Sequence, residues 1–112
     1  MNDSSLLIVL STFPDTTTAR TAAEVLVGEH LAACVNILPG VESVYHWEGK
    51  MEFTAEVLLM IKTTPDLWQA LEERLRGIHP YEVPEIVALP AAAVAESYLR
   101  WVAGSLTRDA QA

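Results

Sequence analysis

Residues 32–63 read AACVNILPGVESVYHWEGKMEFTAEVLLMIKT, and this stretch decides the fold. Branched and aromatic residues dominate on both sides of Glu48-Gly49, a pair with turn chemistry. Two long strands follow, Ala32–Trp47 and Met51–Thr63, joined as a hairpin. On the second, Phe53, Ala55, Val57, Leu59 and Ile61 share one face by two-residue alternation. Pro39-Gly40 interrupts the first and predicts a bulge or bend on an edge strand, because Pro cannot donate to a ladder. A two-residue turn sets Trp47 opposite Lys50, Tyr45 opposite Glu52 and Val44 opposite Phe53; a three-residue turn shifts these pairs. Neither face near the tip is cleanly polar. Strands of roughly 14 residues extend over ~45 Å, whereas a domain of this size has a radius of gyration of ~13–14 Å. The hairpin therefore bends sharply or projects beyond its own core, and its long edges call for cover by another subunit.

Working outward, Leu6–Thr12 is a short apolar run that reads as a strand buried on both faces. Phe13-Pro14-Asp15 breaks it, with Asp15 or a following Thr as helix cap. Ala19, Ala22, Ala23, Leu26 and Val27 recur at helical spacing, and Gly28 is expected as the left-handed cap. After the hairpin, Thr64 caps and Pro65 opens a helix with an apolar stripe of Leu67, Leu71, Leu75 and Ile78. His79-Pro80-Tyr81-Glu82-Val83-Pro84 is a loop stiffened by two prolines. Glu85–Leu89 is a short strand stopped by Pro90, and Val94–Leu106 is a last helix anchored by Tyr98, Leu99, Trp101 and Val102. The order is βαββαβ plus a C-terminal helix, an α+β chain of the ferredoxin-like kind with one antiparallel sheet and both main helices on one face.

The 112 residues fit one domain across 1–112, with an ordered core at about 5–106. Such a short chain buries only somewhat over ~60% of its unfolded surface, so association adds stability. The net charge is −8, from 15 acids against 7 bases, which argues against nucleic acid and against anionic lipid as partners. The single cysteine, Cys34, excludes an internal disulfide. No basic leader opens the chain and no apolar run reaches the ~18 residues of a membrane span, so the expected compartment is cytoplasmic. No Gly-rich phosphate loop, nucleophile motif or helix-borne metal pair is present, and the expectation is a non-enzyme.

Leu31-Ala32-Ala33-Cys34-Val35-Asn36-Ile37, Pro39-Gly40, Tyr45-His46-Trp47-Glu48-Gly49-Lys50, Lys62-Thr63, His79 through Ile86 and Tyr98-Leu99-Arg100-Trp101 follow one another in a specific order. From about residue 5 to 106 this resembles the CutA family of divalent-cation tolerance proteins. The resemblance implies a ferredoxin-like subunit in a homotrimer, with an architecture similar to PII signalling proteins and a link to tolerance of divalent cations, chiefly copper. It also implies a position for copper: a Cys near the end of the first strand and two consecutive His before Pro-Tyr. Those positions here hold Ser11, Ile78 and His79, so one of three ligands is present.

His79 with Glu82 and Glu85 is the candidate metal set, since imidazole and carboxylate together suit zinc or copper. His79 as a shaper of the proline-rich loop is the competing reading. Tyr45, Trp47, Lys62, Tyr81 and Trp101 are candidates for an inter-subunit contact or pocket wall, because Tyr and Trp bury large area behind a polar handle. Three functions follow: a trimeric binding protein in response to metal ions, a PII-like module binding a small metabolite between subunits, or a structural trimer without ligand.

Overall fold

The computed structural model describes residues 6–107; the expected ordered boundary at residue 5 lies outside the described residues. The elements are β1 (Leu7–Phe13), α1 (Thr16–Gly28), β2 (Cys34–Trp47), β3 (Lys50–Thr63), α2 (Trp68–Ile78), β4 (Val87–Pro90) and α3 (Glu96–Leu106). The sheet order is β2-β3-β1-β4 and every pairing is antiparallel. This is the expected βαββαβ succession with an added helix.

β3 is the central strand, paired with β1 along one edge and β2 along the other. Alternation gives the sheet two unlike faces. Val9 and Phe13 of β1 and Val57, Leu59 and Ile61 of β3 face α1 and α2, where they meet Ala19, Ala22, Leu26, Leu71 and Leu75 in one buried core. The opposite face carries Ile8, Leu10, Leu58 and Met60, all only half-buried. β1 is thus fully buried on one face rather than both.

Local chemistry accounts for the element ends. Asp15 caps α1, accepting from the Thr18 N–H at 2.8 Å. The left-handed residue after α1 is His30, with φ 60°, and not Gly28, which stays inside the helix. Leu31 N donates to Leu26 O at 2.9 Å and His30 N to Val27 O at 3.1 Å, the paired bonds of a Schellman closure. The His30 ring Nδ1 lies 3.2 Å from the Ser105 carbonyl, a tertiary bond to α3 that offsets the cost of the backbone conformation. Thr64 takes the extended cap conformation without a side-chain bond, and Pro65–Leu67 forms a 3-10 turn before α2 begins.

The hairpin has the two-residue turn. Glu48 and Gly49 hold φ 51° and 82°, and Trp47↔Lys50, Tyr45↔Glu52 and Val44↔Phe53 are cross-strand pairs. The register slips by one residue between Leu38 and Val41, the bulge expected at Pro39-Gly40, with Gly40 at φ 85°. Beyond it the hairpin leaves the helices behind. Met51 is 59% and Phe53 65% exposed, and the chain extends 47 Å along its longest axis with a radius of gyration of 14.9 Å.

Two substitutions separate core packing from turn geometry. Leu71→Ala, at a fully buried site, is expected to lower the unfolding free energy by about 2–5 kcal/mol. A Cβ at Gly40 meets open space, so Gly40→Ala should cost only the left-handed backbone, about 1–2 kcal/mol. Urea unfolding of both variants checks the pair.

Candidate functional site

The part of β2 beyond the bulge and the 79–86 loop together build a cleft beside the hairpin. Val41, Ser43, Tyr45 and Trp47 pair with Glu56, Thr54, Glu52 and Lys50, on the face of the sheet away from α1 and α2. Thr12, at the end of β1, shares that face through its pairing with Leu58. The loop after α2 closes over them. The resulting cleft of about 580 Å³ is lined by Thr12, Ser43, Val44, Tyr45, Trp47, Glu56, Tyr81, Glu82, Val83 and Glu85.

His79 fixes that loop. Its ring stacks on Phe13 with centroids 4.2 Å apart, and it is only 8% exposed. The Tyr81 N–H donates to Nδ1 at 3.1 Å, which makes Nδ1 the acceptor. The proton therefore sits on Nε2, which donates to the Thr12 carbonyl at 2.9 Å. Burial pushes the His79 pKa down, partly opposed by the Thr12 carbonyl and by Glu56. The imidazole is held neutral, with its one lone pair in use.

Tyr81 is carried by this anchor onto Glu56, donating to Oε2 at 2.6 Å. Glu56 is 8% exposed, and this bond from the phenol offsets its loss of water. Burial first, then the Glu56 carboxylate, pushes the Tyr81 pKa well above its ordinary value, so the phenol keeps its proton and remains a donor. On the opposite wall the Tyr45 hydroxyl lies 2.9 Å from Thr54 Oγ1.

The structure brings Tyr45, Trp47, Tyr81, Glu82 and Glu85 together around one cleft. It leaves Lys62 and Trp101 elsewhere. Lys62 lies six residues along β3 from Glu56, about 20 Å away, where its Nζ donates to Asn36 Oδ1. Trp101 stacks on Tyr98 at 5.7 Å on α3. The expected metal set is not assembled within the chain: His79 has no free lone pair, and among the described residues no three His, Cys, Asp or Glu side chains group as a metal site requires. Ser11 is fully buried with its Oγ unpartnered, and Ile78 packs against the core, so neither supplies a soft ligand. Glu56 was not anticipated. Its signal was an acid in the middle of a strand, one step from the apolar face and across from the Pro39-Gly40 bulge.

The model of the "CutA1 divalent ion tolerance protein" family matches residues 7–105. The "Divalent-cation tolerance protein CutA" of Thermus thermophilus is 50% identical over 95 residues, covering 85% of this chain and 92% of the relative. A crystal structure of CutA from Xylella fastidiosa superposes with a TM-score of 0.90 at 40% identity, covering 93% of this chain and 100% of that one. The expectation of a cytoplasmic protein is corrected by other relatives. Those of rice and Arabidopsis, of which this chain spans 58% and 54%, are named chloroplastic. The Archaeoglobus fulgidus structure, 29% identical with a TM-score of 0.88 over 91% of this chain and 99% of that one, is titled periplasmic. Relatives thus occupy several compartments, and the fold carries no address; among the described residues no helix is long and apolar enough to cross a membrane. From the family model, the Thermus relative and the shared fold together, the chain belongs to the CutA1 divalent ion tolerance family.

Proposed function

We propose that the chain serves divalent-cation tolerance as a non-enzymatic binding protein, with a homotrimer as its working unit and the cleft beside the hairpin as its cation site. The observation that carries this reading is the chemistry of the lining. Glu56, Glu82 and Glu85 stand among the hydroxyls of Thr12, Ser43, Tyr45 and Tyr81, with no Lys, Arg or His among the described lining residues. Such oxygen donors suit hard ions such as manganese, magnesium or calcium better than copper, which wants imidazole or thiolate. An anionic metabolite, the ligand of a PII-like regulator, finds no countercharge among the described lining residues. The acids of one chain do not converge on a point. The cleft adjoins the exposed hairpin, so a copy packed on that hairpin is placed to add ligands or draw the acids together. Self-association is supported by Val44, Met51 and Phe53, large apolar side chains left in water on a projecting arm.

Light scattering coupled to size exclusion should return three times the 12.3 kDa chain mass. Phe53→Asp should shift the population toward smaller species; a monomeric wild type sinks the assembly.

Calorimetric titration should give a manganese isotherm that weakens at least about tenfold in Glu82→Gln/Glu85→Gln, the order expected when a site loses ligand charge. His79→Gln should leave any copper heat unchanged, and a loss of copper binding in that variant would restore His79 as a ligand.

The His79 geometry also sets a pH dependence. Its folded pKa lies below the ordinary 6.5, so its contribution to stability is complete above that pH. It declines as pH falls from 6.5 toward the folded value, because the unfolded chain takes the proton first. Denaturation midpoints at pH 7.5 and 5.5 should differ more for the wild type than for His79→Gln.

A further inference from the structure

The cleft has a second chemical character that a bare metal ion does not use. Its walls are aromatic, from Tyr45, Trp47 and Tyr81, and its floor is the buried carboxylate of Glu56. One oxygen of that carboxylate is held by the Tyr81 phenol at 2.6 Å, which orients the group. Glu82 and Glu85 line the same space, and Asp15 is near enough to act on the Tyr81 hydroxyl electrostatically. The lining is thus negative and aromatic. A metal ion demands oxygens converging at ~2.0–2.6 Å, and among the described residues no three acids group that way. The volume, about 580 Å³, lies in the ~300–1,000 Å³ range of small-molecule sites.

We infer that this cleft binds a small organic ammonium ion, the positive nitrogen lying against the faces of Tyr45 and Trp47 and directed at the Glu56 carboxylate. An ammonium group needs no fixed coordination number. Its charge is spread over its substituents, so it is stabilised by ring faces within ~6 Å and by acids at longer range. Trp47 and Tyr45 are half-exposed on the arm of the single chain. The buried Glu56 supplies the charge that a purely apolar groove lacks. This inference does not depend on the divalent-cation reading, since it uses the same acids without asking them to converge.

The test is a titration of the full-length protein, in its native assembly, with choline chloride as probe, followed by tryptophan emission and calorimetry. The control is the uncharged isostere in which carbon replaces the quaternary nitrogen. Choline should give a saturable isotherm, and the isostere should bind about fivefold to thirtyfold more weakly, the range of a cation–π contribution. Tyr45→Ala and Trp47→Ala, both at exposed positions, should each weaken choline by a similar factor. Glu56→Gln should weaken choline without weakening the isostere. Equal binding of choline and isostere would reduce the site to an apolar groove and overturn the inference. So would no choline isotherm, the outcome if another copy of the chain fills the cleft. Unaltered choline binding in both aromatic variants would also overturn it. Loss of manganese binding alone would count against the divalent-cation reading and leave this one standing.

Discussion

Everything in this chain hangs on β3. It is hydrogen-bonded along both edges, to β1 and to β2, and its alternate residues build the core on one side and the cleft on the other. Leu59 and Ile61 are fully buried beneath the helices, while Glu56 faces the other way. Because side chains alternate strictly, a one-residue slip of β3 would exchange these faces. Two devices prevent the slip. The Glu48-Gly49 turn sets the register at the tip, and the Pro39-Gly40 bulge absorbs one residue where the hairpin leaves the core. The bulge does not weaken the site; it lets β2 keep Ile37 against the helices and still present Tyr45 to the cleft.

The second dependence is a neutral histidine. His79 joins the end of β1 to the loop that carries Tyr81, and does so with both ring nitrogens. Stacking on Phe13 gives it area as well as hydrogen bonds. A residue type associated with metal ligation here organises acids and phenols instead. The proline-rich loop is thereby placed as a fixed wall, without support from regular secondary structure.

Much of the architecture was legible because the signals were local. Hydrophobic alternation located β3, the Glu-Gly pair located the turn with its cross-strand partners, and Asp15 marked the start of α1. Signals that depend on distant neighbours were not legible. Gly28 looked like the end of α1 on residue type alone, but closure falls two residues later because α3 offers His30 a bond. β1 looked buried on both faces, yet its second face lacks a full layer within the chain. Glu82 and Glu85 read as a metal set with His79, and Tyr45, Trp47 and Tyr81 as contact or pocket-wall candidates; in space these five line one cleft and His79 does not. Glu56 was passed over because its partner is 25 residues away, and Lys62 was included although it sits at the other end of the same strand face. Sequence offers residue types and spacing; which side chain answers which is set by tertiary packing.

The placement of β4 beside β1 carries a consequence for the order of assembly. Leu7 is paired with Pro90, so the first strand gains its second neighbour only when nearly the whole described chain is available. The hairpin closes locally and early, but joining such remote segments must first overcome the entropy of a long loop. Until then β1 presents an unpaired backbone edge. The final strand is only four residues long, so the last step of sheet formation rests on few ladder bonds and on the helix that follows them. Late closure, more than core strength, is where a nascent chain of this design is exposed to mispairing with its neighbours.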